Sequence, residues 1–256
     1  FRTSITDRDT FGVNTGFTAE YHFTVKGNFD FSGITAAVER PAIWQVYVNG
    51  TEVRAEGGEW IIDRETGVYR IGDLVRKGDN AISLKASPMS VHAEIEPVFV
   101  MGDFSVKASD KGWLIEAPVN NLTAGSGKDQ GMPFYPWGVT YSMEYTVEKP
   151  EGQFLLSLGR WRGTVAEVKV NDNYRNVIAF PPYQLNITEQ IREGVNKIEV
   201  TVTGSNKSLH GPHFNDPRPG QVAPGNFRNV KTYPAGKDYQ LPDYGLIGDF
   251  QLLNGK

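Results

Sequence analysis

The sequence predicts an all-β protein made of two tandem antiparallel β-sandwiches. Two observations carry this. The first is a grammar of short aromatic and β-branched runs cut by Gly, Pro, Asn and Asp, with 14 Phe, 11 Tyr and 5 Trp set among 28 Gly and 15 Pro. Residues of the first kind suit a pleated, half-buried surface, and those of the second kind suit tight turns. The second is an ordered set of features that occurs twice along the 256 residues, a length that suits two domains.

Phe17–Val25 (FTAEYHFTV) alternates apolar and polar residues and reads as a strand. Trp44–Val48 is a second, running into Asn49-Gly50, a strong hairpin signal because both residues tolerate positive φ. Glu59–Ile62 and Val68–Ile71 are further candidates, Asn80–Ala86 alternates again, and Val91–Val100 is followed by Met101–Val106. In the other half, Phe154–Leu158 is a strand, and Ala166–Val170 runs into Asn171-Asp172 as the earlier strand runs into Asn49-Gly50. Ile187–Gly194 (ITEQIREG) matches Ile71–Gly78 (IGDLVRKG), each long enough for one or two helical turns. Asn196–Thr203 then follows Gly194 as Asn80–Ala86 follows Gly78, and Gly248–Leu252 echoes Gly102–Val106. The linking region Lys107–Tyr141 reads as part of the second copy, irregular around Gly125-Ser126-Gly127. The boundary is expected near residue 102, giving domains 1–102 and 103–256.

The copies differ in one respect. Asn80 to Gly102 is 22 residues, whereas Asn196 to Gly248 is 52. The surplus is a Gly-, Pro- and Asn-rich loop over residues 204–244, and loops that long are often functional.

Composition excludes several classes. Cysteine is absent, so disulfides, thiolate nucleophiles and Cys-held metals are ruled out. The net charge is −4 with no basic stripe, which argues against nucleic acid as a partner. No apolar run approaches a membrane span. The chain opens on Phe1 and has no signal peptide, which reads as a processed or excised piece. No phosphate loop, HExxH motif or Ser/His/Asp context is present, and no pair of acids stands out for glycosidic chemistry.

Candidate ligand-binding residues lie in the second half. Trp161 and Arg162 sit in a Gly-Arg-Trp-Arg-Gly segment, and Tyr135 and Trp137 in Phe-Tyr-Pro-Trp-Gly. A flat ring can stack on the apolar face of a pyranose while a guanidinium donates to its hydroxyls. Each of these residues can equally be a packing residue. His210 and His213, in His-Gly-Pro-His, could touch a ligand, hold a metal or serve only the turn. Trp44 reads as a core residue.

Four segments of the second half carry a resemblance. They are Gly131–Tyr135, Leu158–Gly163 with Ala166–Asn171, Leu209–His213, and Asp243–Gly248. They resemble the C-terminal galactose-binding-like, jelly-roll sandwiches of bacterial glycoside hydrolases, of the family 2 sugar-binding and α-L-rhamnosidase-like type. The first half resembles the same sandwich more faintly through Val46–Gly50. Related sandwiches read Val-Asn-Gly after the central strand, where this chain has Val170-Asn171-Asp172. The resemblance implies a secreted, periplasmic or cell-surface setting beside an upstream catalytic domain of the same parent chain. It also implies a structural Ca2+, for which Asp103 and Asp249 stand at matched places. Three functions stay open: a non-catalytic accessory region whose second sandwich binds glycan, a purely structural sandwich pair bracing a neighbouring domain, and part of a glycoside hydrolase with unidentified acids.

Overall fold

A computed structural model describes residues 11–210, 213–214 and 234–255. The described residues are nearly all β, in several antiparallel sheets. No helix among them is long and apolar enough to cross a membrane. The chain divides into two compact units, Phe1–Lys107 with Trp113–Pro118, and Ala108–Gly112 with Val119–Lys256.

In the first unit the strands are β1 (Phe17–Val25), β2 (Thr35–Glu39), β3 (Gln45–Val48), β4 (Thr51–Val53), β5 (Trp60–Ile61), β6 (Asp63–Arg70), β7 (Gly78–Ala86), β8 (Phe99–Met101), β9 (Ser105–Ala108) and β10 (Trp113–Glu116). One sheet has the order β4-β3-β7-β1-β10-β9 and the other β5-β6-β2-β8. Side chains alternate along a strand, so β7 turns Asn80, Ile82, Leu84 and Ala86 inward and leaves Lys85 outside. Of these, Ile82 and Leu84 join Val46, Val48, Ile34, Ala36, Val38, Tyr69 and Ile71 to form the core.

In the second unit the strands are β11 (Gly138–Val147), β12 (Gln153–Ser157), β13 (Trp161–Arg162), β14 (Val165–Val170), β15 (Tyr174–Ile178), β16 (Gln184–Asn186), β17 (Gly194–Thr203), β18 (Gly245–Leu246) and β19 (Gln251–Gly255). The sheets are β11-β17-β14-β15 and β16-β12-β19, with the pair β13-β18 beside them. Ala166, Val168, Val170, Ile198, Val200 and Val202 pack with Phe154, Leu156, Leu158, Leu246 and Phe250. The order β15-β14-β17-β11 repeats β4-β3-β7-β1, and β16-β12-β19 repeats β6-β2-β8. The chain therefore holds two copies of one sandwich.

The repeat extends to side-chain bonds. Asn49 and Asn171 both have φ 49° in the turn after the central strand. Asn49 donates through Nδ2 to Leu74 O (2.8 Å) and Asn80 Oδ1 (2.9 Å), and Asn171 to Gln190 O (3.0 Å) and Asn196 Oδ1 (2.9 Å). Asn80 and Asn196 each accept from the backbone N–H four residues earlier and donate back to that residue's carbonyl. These asparagines pin the hairpin to the turn that enters β7 or β17.

Val91–Val100 forms strand only from Phe99, because Pro97 has no N–H to offer a ladder and Glu94 and Glu96 are exposed. The linking region contains β10 and the start of β11. The matched segments around residues 71 and 187 each make one short 3-10 turn, Gly72–Leu74 and Thr188–Gln190, as expected.

Candidate functional site

The segments named from the sequence converge in the second unit, and backbone bonds join them. Gly125 N donates to Leu246 O (2.7 Å), Gly127 N to Tyr244 O (2.9 Å), Gly204 N to Trp137 O (3.2 Å) and Ile247 N to Arg160 O (3.0 Å). Arg162 pairs with Gly245 and Trp161 with Leu246 in the β13-β18 ladder. The approach is close enough to demand glycine. A Cβ on Gly204 would lie 2.8 Å from Pro136 O, and one on Gly127 2.5 Å from the Tyr244 ring. The Pro136-Trp137 stretch is thus held flat against the end of β17, where Gly138 pairs with Thr203.

Tyr135 and Trp137 reach the surface there, 38% and 42% exposed. Their ring centroids are 6.0 Å apart with planes at 43°, an open V rather than a flat shelf. Arg162 is exposed on β13, paired with Gly245. Lys128 Nζ lies 2.9 Å from Asp243 Oδ1. That ammonium holds the Asp243 carboxyl below the usual carboxylate range, and Arg162 adds to the effect. Beneath them the Tyr244 phenol is pushed well up, first by burial and then by the neighbouring Tyr135 and Tyr141 phenols. The arrangement is an aromatic pair with a charged rim of both signs over a neutral buried phenol.

Other named residues stand elsewhere. Trp161 belongs to the core, edge-on to Tyr183 at 5.4 Å and 90°, so it offers no stacking face to solvent. Its position follows from β13: of two consecutive residues one must face inward, and Arg162 takes the outer place. His213 is also buried, 5.3 Å from Phe134 and 6.2 Å from Tyr239 between ring centroids. His210 is half-buried where the single helical turn Asn206–Leu209 ends, its N–H bonded to Asn206 O. Gly211, Pro212 and residues 215–233 of the long loop lie outside the described residues. Asp103 and Asp249 are exposed, and no group of three or more His, Asp or Glu that could hold a metal occurs among the described residues.

His213 has a consequence for pH. Burial, with Lys207 and His210 adding, pushes its imidazole down to about 4, against a weaker pull upward from a bond to the Leu209 backbone. The folded protein therefore holds it neutral between about pH 6.5 and 4, where the unfolded chain binds a proton. Stability is full above pH 6.5, falls as pH drops through that window and levels off below it. Discounted for partial solvent screening, the loss is about 2 kcal/mol. Melting curves at pH 7 and pH 4.5 should show it, and His213→Phe should flatten the difference.

The sequence missed the Lys128–Asp243 pair and Tyr244, whose roles depend on pairing between distant segments. In the first unit the Glu96 carboxyl is raised by partial burial and by Glu39 and Glu94, yet Glu94 and Glu96 are exposed, which is no sheltered acid pair.

No family model matches the sequence, and no curated protein matches it. Among solved structures the chain is similar to a rhamnosidase from Novosphingobium sp. PP1Y, with 19% identity, 91% of this chain and 24% of that one covered, and a TM-score of 0.34. It is similar to the Streptomyces avermitilis α-L-rhamnosidase complexed with L-rhamnose, with 15% identity, coverage of 96% and 27%, and a TM-score of 0.31. A glycosyl hydrolase family 2 member from Bacteroides cellulosilyticus shows 10% identity, coverage of 73% and 22%, and a TM-score of 0.25. The chain spans about a quarter of the length of each. At these values the chemistry of the site rests on its own geometry.

Proposed function

We propose that the chain is a non-catalytic accessory region of a carbohydrate-active enzyme, working outside the cytoplasm, and that its second sandwich binds glycan through Tyr135, Trp137 and Arg162. The observation that carries this is the exposed Tyr135–Trp137 pair, held by a glycine-tight junction of four segments at one end of a rigid frame. Rings fixed before binding lose little entropy on binding. Two aromatic faces with a guanidinium at the rim suit a ligand that is half apolar face and half hydroxyl edge. A glycan array followed by titration calorimetry tests it. The expected affinity is weak, on the order of 0.1–1 mM. Trp137→Ala should weaken binding about tenfold or more while changing stability by no more than ~1 kcal/mol. Unchanged binding in that variant, or an array with no binder, would remove the site.

A second reading, a structural pair of sandwiches bracing a neighbouring domain, is favoured by a different feature. Phe180 is 82% exposed and Val177, on the edge strand β15, is 56% exposed.

A further inference from the structure

The first unit has a cleft of its own, far smaller than a protein interface and of a size that suits one small molecule. Its volume is about 330 Å³, and Pro41, Ala42, Trp44, Val53 and Ala55 form its walls. The walls are built by close approach. A Cβ on Gly67 would lie 2.7 Å from Pro41 Cγ, so glycine alone lets the Pro41–Ile43 turn settle against β6. Trp44 follows that turn, packs against the first unit's core as expected and is half-buried, so part of it lines the cleft. Phe17 abuts it edge-on at 5.7 Å, which fixes the indole.

Tyr69 also lines the cleft, on β6. It is 2% exposed, and burial alone pushes its phenol up to about 12, so the hydroxyl stays protonated. Among the described residues that hydroxyl makes no hydrogen bond, and it is not one of the sealed polar atoms. Not being sealed, it is open on the cleft side, where it can donate to water or to a ligand that takes the water's place. Gln45, Glu52 and Arg54 are exposed around the same cleft. Their charges cancel, which favours a neutral ligand over an anion or a cation.

We infer that this cleft is a second ligand site, taking one neutral pyranose or similar polyol with its apolar face on Trp44 and Pro41 and a ring hydroxyl on Tyr69. The first-unit site is independent of the Tyr135–Trp137 pair, and the two can be told apart by their indoles.

The test uses the full 15N-labelled chain carrying Trp137→Ala, so that the second-unit pair cannot supply the signal. The probes are the methyl glycosides of galactose, glucose, mannose and rhamnose, with glucuronate and glucosamine as charged controls. A saturating shift of the Trp44 indole resonance with at least one neutral glycoside is expected. Tyr69→Phe, which removes only the hydroxyl, should weaken that binding roughly 5- to 20-fold. Ala42→Leu, which fills the cleft from an exposed position, should abolish it, and it decides the matter should Tyr69→Phe fail to fold. No shift with any neutral glycoside up to 100 mM (~100 mM being a generous ceiling for a single stacked ring) overturns the inference. So does equal binding by both variants, or a preference for glucuronate or glucosamine.

Discussion

Asn196→Ala should cost the second sandwich roughly 3–5 kcal/mol. Asn196 is 0% exposed, and its side chain uses its full bonding capacity. Nδ2 donates to Arg192 O (2.8 Å) and Gly194 O (3.1 Å), and Oδ1 accepts from Arg192 N (3.0 Å) and Asn171 Nδ2 (2.9 Å). An intramolecular bond contributes only about 1 kcal/mol net, but a buried partner left unpaired costs the full desolvation of that group, ~1–3 kcal/mol. Alanine would orphan the Arg192 N–H and one hydrogen of Asn171 together. It would also leave Asn171 with φ 49° and one fewer bond to hold it there. Aspartate would be no remedy, since it keeps the shape but turns acceptor oxygens toward the Arg192 and Gly194 carbonyls. Urea unfolding and amide exchange along β14 and β17 are the measurements. An Asn171→Ala, Asn196→Ala double-mutant cycle should show coupling of about 1 kcal/mol or more. A single-mutant loss below ~1 kcal/mol would mean that the hairpin holds without its asparagine pin. Asn80→Ala should have a comparable effect in the first sandwich, where Asn80 is 2% exposed and makes the same bonds.

The asparagine turns also show which parts of the molecule were legible in the sequence. Asn49-Gly50 and Asn171-Asp172 were readable because turn preference is a local property of one or two residues. Strands β1, β7, β14 and β17 were readable because one covered face leaves a period of two. Strand β2 escaped notice, since Thr35–Glu39 has three consecutive buried residues, Ala36, Ala37 and Val38, and so shows no alternation. The candidate site was half readable. The segments were named from their residue types, but their meeting depends on bonds such as Gly125 N to Leu246 O and Gly204 N to Trp137 O, which no local pattern announces. Which tryptophan faces solvent was not readable either. Trp137 precedes β11 and is left outside, whereas Trp161 is turned inward by its ladder with Leu246, a partner far along the chain.

Trp161→Ala is accordingly expected to unfold rather than unload the second sandwich. Trp161 is 9% exposed and packs in the same core cluster as Leu158, Val202 and Leu246. Tyr183 meets it edge-on at 5.4 Å, and a Cβ on Gly163 would lie 3.4 Å from its six-membered ring. Truncating a buried tryptophan removes its transfer free energy and leaves a cavity that the sheet cannot fully close, a loss of roughly 3–5 kcal/mol. For a domain of this size that lowers the melting temperature by about 8–15 °C. Trp161→Phe should do far less harm. It keeps an aromatic ring against Tyr183 and removes a buried Nε1–H that has no partner among the described residues, so the cavity cost is partly offset. The two variants separate packing from recognition. If Trp161 were a stacking platform, alanine would abolish glycan binding in a domain that melts as the parent does. As a core residue it should show the reverse ordering: alanine lowers the melting point sharply, and phenylalanine leaves both the melting point and any binding at Tyr135 and Trp137 nearly unchanged. Calorimetric melting of both variants decides it, and a Trp161→Ala protein that melts within ~2 °C of the parent would return Trp161 to the binding site.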